Sequence, residues 1–275
     1  MVVSKQVHPL DKYVRVDRLP HLWCPGCGIG IVMSAMLRAI GRRIGEGVFK
    51  EEDIVVVGGI GCTARMPLYL NFDTVHAIHG RAVPFAVGVK LANPKLKVIV
   101  VGGDGDIAGI GGNHLMHAAR RNMDITVIMV NNMVYAMTGG QLAPTTPTGL
   151  YTTTTPRGNP EKPINVVKLV ASLGANYVAR ASVTHPALIE TYVYRALGKE
   201  GFTFVEVLST CPEVFGRHIG IKDAAQLFME LREKVKVKAK PSLNESYYDW
   251  ESGFVIGEYV DKDDPGYLRM FGLLR

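Results

Sequence analysis

Two patterns of apolar residues alternate along this chain. Short continuous apolar runs predict buried strands of a parallel sheet at residues 53–57, 97–101, 125–130 and 202–208, and residues 74–78 and 176–179 also resemble strands. Between the runs, apolar residues recur every three or four positions, which predicts helices over residues 29–44, 83–92, 112–121, 164–173 and 186–197. This alternation predicts an α/β fold: a doubly wound, mostly parallel sheet with helices on both faces.

Two further segments complete the predicted organisation. Residues 142–163 are rich in Pro, Thr and Gly and predict a long loop, which we expect to be functional because structureless loops of this length are uncommon. Residues 236–275 place aromatic side chains among charges and predict an irregular C-terminal tail. We therefore divide the chain into a main domain, residues 1–235, and a C-terminal extension, residues 236–275. We expect the extension to pack on a partner subunit rather than to form a core.

Composition limits the classes of protein to consider. Of 275 residues, 47% are apolar and 20% are charged, which is typical of a globular protein with a well-packed core. The net charge is +6. The sequence contains no basic stretch interleaved with aromatics, which is the pattern that would indicate nucleic-acid binding. Residues 1–13 do not resemble a signal peptide, and no apolar run is long enough to span a bilayer. We therefore expect a soluble, cytoplasmic protein, in which the four cysteines favour metal or redox chemistry over disulfides.

The ends of two predicted strands indicate a site for a magnesium diphosphate. The segment GDGD, residues 103–106, follows one strand, and the pair NN, residues 131–132, follows the next. Ligands bind beyond the carboxyl ends of parallel strands, and Mg²⁺ requires an octahedral set of oxygens. The Asp104 carboxylate, the Asn132 amide oxygen and the backbone carbonyl of Val134 can give three, leaving the rest to phosphate and water. A Walker-type site is disfavoured because no Gly-Lys-Ser/Thr follows.

The four cysteines can meet at the same edge of the sheet. Cys24 and Cys27 share a CPGCG turn, Cys62 follows the glycines after the first strand, and Cys211 follows the strand at residues 202–208. Four thiolates suit either structural zinc or an iron–sulfur cluster. The spacing alone does not separate the two, although zinc sites usually pair one CxxC with a second, which favours a cluster.

Six motifs occur together and in order: HLWCPGCG at 21–28, GIGCT at 59–63, HGRA at 79–82, GGDGD at 102–106, NNMVYAMTGGQ at 131–141 and TCP at 210–212. In this combination the chain resembles the β subunit of the 2-oxoacid:ferredoxin oxidoreductases over residues 13–219. It is most similar to the 2-oxoglutarate (2-oxoglutarate synthase) branch, because of LPHLWCPGCG, IGGNHLMHAARRN and the APTTPTG that follows TGGQ.

The resemblance implies a thiamine-diphosphate-binding fold with two centres. It implies that one [4Fe–4S] cluster is bound by Cys24, Cys27, Cys62 and Cys211, and that Mg²⁺ is held by Asp104, Asn132 and Val134. It implies that thiamine diphosphate is lined by Ile60, Gly61, Cys62, Thr63, His79, Gly103, Gly105, Asp106, Ala136 and Met137. His79 and Thr138 are the candidate catalytic residues, since Thr138 begins the TGGQ turn where the substrate carboxylate would approach.

The resemblance also implies an activity and its partners. The reaction is the coenzyme A-dependent oxidative decarboxylation of a 2-oxo acid, best matched by 2-oxoglutarate to succinyl-CoA, with one-electron transfer through the cluster to ferredoxin. The same chemistry can run in reverse. The chain is too short to include a pyrimidine-binding domain with its activating carboxylate, so we expect an α subunit to supply both in a heterodimer.

Three alternatives remain open at this point. Pyruvate or a branched-chain 2-oxo acid could replace 2-oxoglutarate as the substrate. The chain could instead be a subunit of another thiamine enzyme with a structural zinc. A third reading, from a different class, is a non-catalytic electron-transfer or binding subunit that keeps the fold.

Overall fold

The computed structural model describes residues 8–273. In chain order the strands are β1 (Ile54–Gly58), β2 (Asp73–His76), β3 (Lys97–Gly103), β4 (Thr126–Asn131), β5 (Val134–Tyr135), β6 (Gln141–Leu142), β7 (Tyr177–Ser182), β8 (Thr203–Leu208), β9 (Val235–Val237), β10 (Tyr248–Asp249) and β11 (Gly253–Asp261). The main sheet has the order β10-β11-β7-β8-β4-β3-β1-β2, with β9 paired to β11. From β7 to β2 all neighbouring strands are parallel.

Helices cover both faces of this sheet. They are α1 (Ile29–Gly45), α2 (Ala82–Ala92), α3 (Gly112–Arg120), α4 (Val166–Ser172), α5 (Pro186–Gly198), α6 (Ala224–Lys234) and α7 (Tyr267–Met270). Helices α1 and α5 pack on one face, whereas α2, α3 and α4 pack on the other. Between residues 8 and 273 no helix has both the length and the apolar character needed to cross a membrane.

Burial on both faces explains why the strands read as continuous apolar runs. Along β1, Ile54 and Val56 belong to the core under α1 and α5, while Val55 and Val57 belong to the core under α2 and α3. Successive side chains of a strand point to opposite faces, so a sheet covered twice needs apolar residues at every position.

The predicted fold class is confirmed. Each predicted strand and helix is present, with bounds shifted by one to three residues at most. An element that the pattern did not predict is the π-helical segment Gly105–Ile110, which lies between β3 and α3. The predicted loop at 142–163 is irregular apart from Leu142, which ends β6, and an isolated bridge between Thr152 and Thr155.

The prediction of an irregular C-terminal tail is wrong. The long strand β11 pairs antiparallel with β7, so this segment extends the main sheet. Tyr248, Phe254 and Ile256 are buried in the same core as α1 and α5. The apolar run at residues 254–256 is short and lies between charged segments, so the sequence pattern did not single it out as a strand. Residues 274–275 of the extension, and residues 1–7 of the segment compared with signal peptides, lie outside the described residues.

Candidate cofactor site and cysteine cluster

Four neighbouring strands bring the predicted site residues to one edge of the sheet. The order β8, β4, β3, β1 places the loops that follow these strands side by side. In the same order the loops carry Cys211, Asn132, Asp104 and Cys62. Residues far apart in the sequence therefore meet where ligands bind in parallel α/β sheets.

A cluster of oxygen atoms lies at the ends of β3 and β4. One terminal atom of the Asn132 side-chain amide is 3.3 Å from Oδ1 of Asp104 and 2.8 Å from the carbonyl oxygen of Val134. If this atom is the amide oxygen, three acceptors face one another and a cation is needed between them. Octahedral Mg²⁺, with bonds of about 2.0–2.1 Å, keeps neighbouring oxygens about 2.9 Å apart. The two distances from the Asn132 amide, 2.8 and 3.3 Å, are close to this value.

Asp104 is almost completely buried beside this cluster. Its Oδ2 accepts a hydrogen bond from the hydroxyl of Thr145, which lies in the loop at 142–163. Burial raises the pKa of the Asp104 carboxyl to about 6, against the effect of the Thr145 hydroxyl and nearby backbone N–H groups. A divalent cation beside the carboxyl would favour its ionised form. Sequence reasoning missed Thr145, although it marked the loop that contains it.

The turn after β4 holds the other two oxygens. Met133 adopts φ = +66°, a left-handed conformation that is uncommon for a residue with a side chain. Its N–H donates to Oδ1 of Asn131 at 3.1 Å, and its carbonyl accepts from the Thr146 hydroxyl at 2.7 Å. These two contacts fix the chain reversal that directs Asn132 and Val134 toward Asp104.

A cavity of about 180 Å³ opens beside the oxygen cluster. It is lined by the residues predicted to contact thiamine diphosphate, namely Ile60, Gly61, Cys62, Thr63, His79, Gly103, Gly105, Asp106, Ala136 and Met137. The candidate magnesium ligands and Thr138 line it as well. The structure thus brings all these residues together, and their individual roles stay predictions.

Asp106 organises one end of this cavity. Its Oδ1 accepts the N–H of Gly80 at 2.7 Å and the N–H of Ile60 at 3.3 Å, and it lies 2.8 Å from Nδ1 of His79. Its buried Oδ2 has no hydrogen-bond partner within the described part of the chain. A Cβ at Gly59 would lie 2.1 Å from that oxygen, so only glycine fits there. The carboxylate therefore fixes the loop after β1 and orients the ring of His79.

Tyr135 forms a wall of the cavity that sequence reasoning also missed. Its hydroxyl donates to the carbonyl oxygen of Gly105 at 3.2 Å. A Cβ at Gly105 would lie 2.1 Å from the Tyr135 ring, so the glycine lets the GDG turn approach the aromatic ring closely. The sequence feature that could have identified Tyr135 as a cavity residue is its place inside the NNMVYAMTGGQ motif.

Thr138 lies at the exposed side of the cavity. Its hydroxyl donates to Oε1 of Gln141 at 2.6 Å, and Nε2 of Gln141 donates back to the carbonyl oxygen of Thr138 at 2.8 Å. Between them, Gly139 and Gly140 have φ of +117° and +91°, conformations that favour glycine. The TGGQ motif is therefore a tight turn closed by its own end residues.

A second cavity, of about 210 Å³, is lined by Cys24, Cys27, Cys62 and Cys211. The Thr210 hydroxyl donates to the carbonyl oxygen of Gly26 at 2.9 Å, which joins the CPGCG turn to the end of β8. The indole N–H of Trp23 donates to the carbonyl oxygen of Cys62 at 2.8 Å, which joins the same turn to the end of β1. The four cysteines of the sequence thus surround one space.

The arrangement of the thiols differs from a preformed single-ion site. Within residues 8–273, no three His, Cys, Asp or Glu side chains are grouped closely enough to hold one metal ion. Burial raises the pKa of the Cys27 thiol to about 12, and it also raises the pKa of Cys62 and Cys211. These thiols therefore stay protonated at neutral pH unless a metal centre displaces their protons.

The two cavities are adjacent and share a wall. Cys62, Asn132, Ala136 and Met137 line both of them. Cys62 is one of the four cysteines, and Asn132 is one of the candidate magnesium ligands. The shared wall therefore contains a candidate ligand of each centre. Arg65 lines the second cavity too and was not among the predicted site residues.

Comparison with known proteins agrees with this geometry. Residues 59–207 match the family model of the thiamine pyrophosphate enzyme C-terminal TPP binding domain. The chain is 43% identical over 263 residues to the 2-oxoglutarate synthase subunit KorB of Methanocaldococcus jannaschii, covering 96% of each chain. It is 47% identical over 233 residues to subunit KorB of Archaeoglobus fulgidus, covering 85% of this chain and 84% of that one.

A solved structure is similar over nearly the whole length. It is the 2-oxoglutarate:ferredoxin oxidoreductase from Magnetococcus marinus with 2-oxoglutarate, coenzyme A and succinyl-CoA bound. The TM-score is 0.82 at 28% identity, covering 98% of this chain and 91% of that chain. Together with the cavities at the sheet edge, these similarities show that the chain belongs to the β subunits of the 2-oxoacid:ferredoxin oxidoreductases, in the 2-oxoglutarate synthase branch.

Proposed function

We propose that this chain, with a partner subunit, converts 2-oxoglutarate and coenzyme A to succinyl-CoA and CO₂. The two electrons released would leave one at a time through a [4Fe–4S] cluster to ferredoxin. The observation that carries this proposal is the wall shared by the two cavities. A cofactor in one cavity and a cluster in the other would be separated by little more than that wall, which suits direct electron transfer.

The first cavity fits magnesium thiamine diphosphate. Asp104, Asn132 and the carbonyl of Val134 would hold Mg²⁺, and Gly103, which has largely open space where a Cβ would lie, would let the backbone approach the diphosphate. When bound, the cofactor supplies a thiazolium that stabilises the carbanion left by loss of CO₂. The chain's own contribution would be to orient the substrate, through His79 held by Asp106 and through the Thr138 turn.

The second cavity fits a cluster better than a zinc ion. A tetrahedral zinc site places four ligands about 2.3 Å from one ion, so its thiols would be grouped closely. The thiols of Cys24, Cys27, Cys62 and Cys211 instead surround a cavity, which suits a group of several irons ligated from outside. This supports the iron–sulfur alternative over the structural zinc that the spacing left open.

The proposed partner and substrate are carried over from the relatives. The Magnetococcus marinus enzyme binds 2-oxoglutarate, coenzyme A and succinyl-CoA, and we carry these ligands over to the present chain. An α subunit would add the pyrimidine-binding domain and its activating carboxylate in a heterodimer. The extension at 236–275 would still meet this partner, through exposed side chains such as Tyr247 and Phe271.

The test is a substrate panel on the assembled enzyme. The chain is co-expressed with its partner subunit and purified without oxygen, and the reduction of ferredoxin or methyl viologen is measured with 2-oxoglutarate, pyruvate and branched-chain 2-oxo acids. We expect the highest kcat/KM for 2-oxoglutarate and an absolute need for coenzyme A. A higher value for pyruvate would contradict the proposed substrate. No turnover of any 2-oxo acid, by a complex with bound thiamine diphosphate and iron, would favour a non-catalytic electron-transfer subunit.

A further inference from the structure

A buried charged network lies behind the turn that carries the candidate magnesium ligands. We propose that the ion pair between Arg180 and Glu206 is a positioning device for that turn. It fixes the side-chain amide of Asn131, and Asn131 in turn holds the reversal that presents Asn132 and Val134 to the cation. This inference deepens the proposed function and rests on it, because it assigns Arg180 and Glu206 a role in the binding of magnesium thiamine diphosphate.

The first step is the contact between strands β8 and β4. Glu206 and Arg180 are fully enclosed, with side-chain exposures of 1% and 0%. Nε of Arg180 donates to Oε2 of Glu206 at 2.6 Å, and Nδ2 of Asn131 donates to Oε1 of Glu206 at 2.7 Å. An ionised carboxylate only accepts hydrogen bonds, so it can face only the NH₂ end of an amide. Glu206 thereby decides which way the amide of Asn131 points.

The second step runs from Asn131 to the turn. With its NH₂ group held by Glu206, its Oδ1 faces the N–H of Met133, which donates at 3.1 Å. This is a local side-chain-to-backbone contact two residues along the chain, a type that stabilises tight turns. Met133 needs such support because its φ of +66° is strained for a residue with a side chain. A reversed Asn131 amide would place NH₂ against N–H and would release the turn.

The third step connects the ion pair to the C-terminal segment. Nη1 of Arg180 donates to the carbonyl oxygen of Ser246 at 2.9 Å and to that of Tyr247 at 3.3 Å. The hydroxyl of Tyr248 donates to Oδ1 of Asn131 at 3.4 Å. The segment before β11 therefore contacts both Arg180 and Asn131 and completes their hydrogen bonding. Buried ion pairs contribute little net stability compared with apolar residues of the same size, so a positioning role accounts better for this one.

A second buried carboxylate provides a matched control. Glu258, on β11, accepts from the hydroxyl of Tyr177 at 2.6 Å and pairs with Arg195. Its side chain is only 7% exposed, and like Glu206 it joins neighbouring strands of the main sheet. Its hydrogen bonds do not reach the turn after β4. Replacing Glu258 tests the cost of losing a buried charge, without a change in the support of Asn131.

The test compares Glu206→Gln with Glu258→Gln in the complex with the partner subunit. At a fixed concentration of thiamine diphosphate, Mg²⁺ is titrated into the apo complex, and cofactor binding is followed by calorimetry. We expect Glu206→Gln to raise the Mg²⁺ concentration at half-saturation by about 10–100-fold, as for other residues that orient metal ligands. Glu258→Gln should leave it unchanged, although both variants lower the melting temperature of the apo complex.

Three outcomes would overturn the inference. One is an unchanged Mg²⁺ midpoint in Glu206→Gln, and another is an equal shift in Glu258→Gln. If Glu206→Gln does not fold, Asn131→Ala replaces it, and an unchanged midpoint in that variant counts equally against the inference. A wild-type complex that binds no magnesium thiamine diphosphate would instead remove the proposed function, and the inference with it.

Discussion

At the scale of single residues, the candidate site depends on contacts that join loops far apart in the sequence. Asp104 and Asn132 could be predicted because their types and spacing suit a magnesium diphosphate site. Thr145 and Tyr135 could not, since their partners are known only once β3, β4 and the loop at 142–163 have come together. For Glu206 a signal existed, because a charged residue interrupts an otherwise apolar buried strand.

The hydroxyl of Thr145 gives a prediction at this scale. Thr145→Val keeps the shape of the side chain but removes the donor to Asp104. We expect weaker binding of magnesium thiamine diphosphate, because the carboxylate loses the group that orients its oxygens. The control is Thr203→Val, which removes an equally buried hydroxyl that contacts Thr126 at the opposite end of the strands. Calorimetry on the apo complex should show reduced affinity for Thr145→Val alone, and equal affinities would contradict the role of Thr145.

Two glycines give a second residue-scale prediction. In Gly59→Ala the new methyl group would meet Oδ2 of Asp106, so we expect a loss of about 1–3 kcal/mol in the free energy of unfolding. In Gly88→Ala the methyl group meets open space on the exposed side of α2, so we expect a gain of about 0.5–1 kcal/mol. Denaturant unfolding of both variants measures the difference. A stable Gly59→Ala would show that the Asp106 loop adapts easily.

At the scale of elements, the parallel sheet was predictable and its antiparallel edge was not. Strands buried on both faces have a continuous apolar signature that does not depend on their neighbours. The strand β11 is largely apolar, but it follows a segment that mixes charges with aromatics, and its pairing depends on an open edge at β7. The π-helical segment Gly105–Ile110 also depends on tertiary contacts rather than on a local sequence pattern. Asp106 within it is held by the loops after β1 and β2.

The C-terminal segment gives the prediction at this scale. Phe254 is 1% exposed and packs in the core under α1 and α5, so we expect Phe254→Ala to cost about 3–5 kcal/mol of unfolding free energy. Tyr247 is 59% exposed, and Tyr247→Ala should change stability by no more than about 0.5 kcal/mol. Equal small effects in urea unfolding would mean that the extension does not belong to the core.

At the scale of the whole molecule, the sheet edge carries two groups of ligands that are chemically independent. The oxygens after β3 and β4 suit a hard cation, whereas the thiols after β1 and β8 and in the CPGCG turn suit iron. Strand ends alone predict the convergence of Cys62, Asp104, Asn132 and Cys211, but not of the CPGCG turn, which follows no strand within the described residues. The shared wall was not predictable, because it depends on how the turn after β4 folds back.

This independence gives a prediction for the assembled complex. Asp104→Asn removes a negative charge from the oxygen cluster, so we expect loss of thiamine diphosphate with iron retained. Cys24→Ala removes the most exposed of the four thiols, so we expect loss of iron with thiamine diphosphate retained. Both variants should lose ferredoxin reduction. Iron and thiamine diphosphate per chain are measured after anaerobic purification, and a parallel loss of both in either variant would contradict two separate centres.

The most direct measurement of the central claim is anomalous X-ray scattering at the iron edge. The crystals would contain the anaerobically purified complex, grown with Mg²⁺ and thiamine diphosphate. The account predicts iron in the cavity between Cys24, Cys27, Cys62 and Cys211, with the diphosphate and its Mg²⁺ at Asp104 and Asn132 across the shared wall. A single zinc ion between the cysteines, or thiamine diphosphate bound away from Asp104, would contradict it.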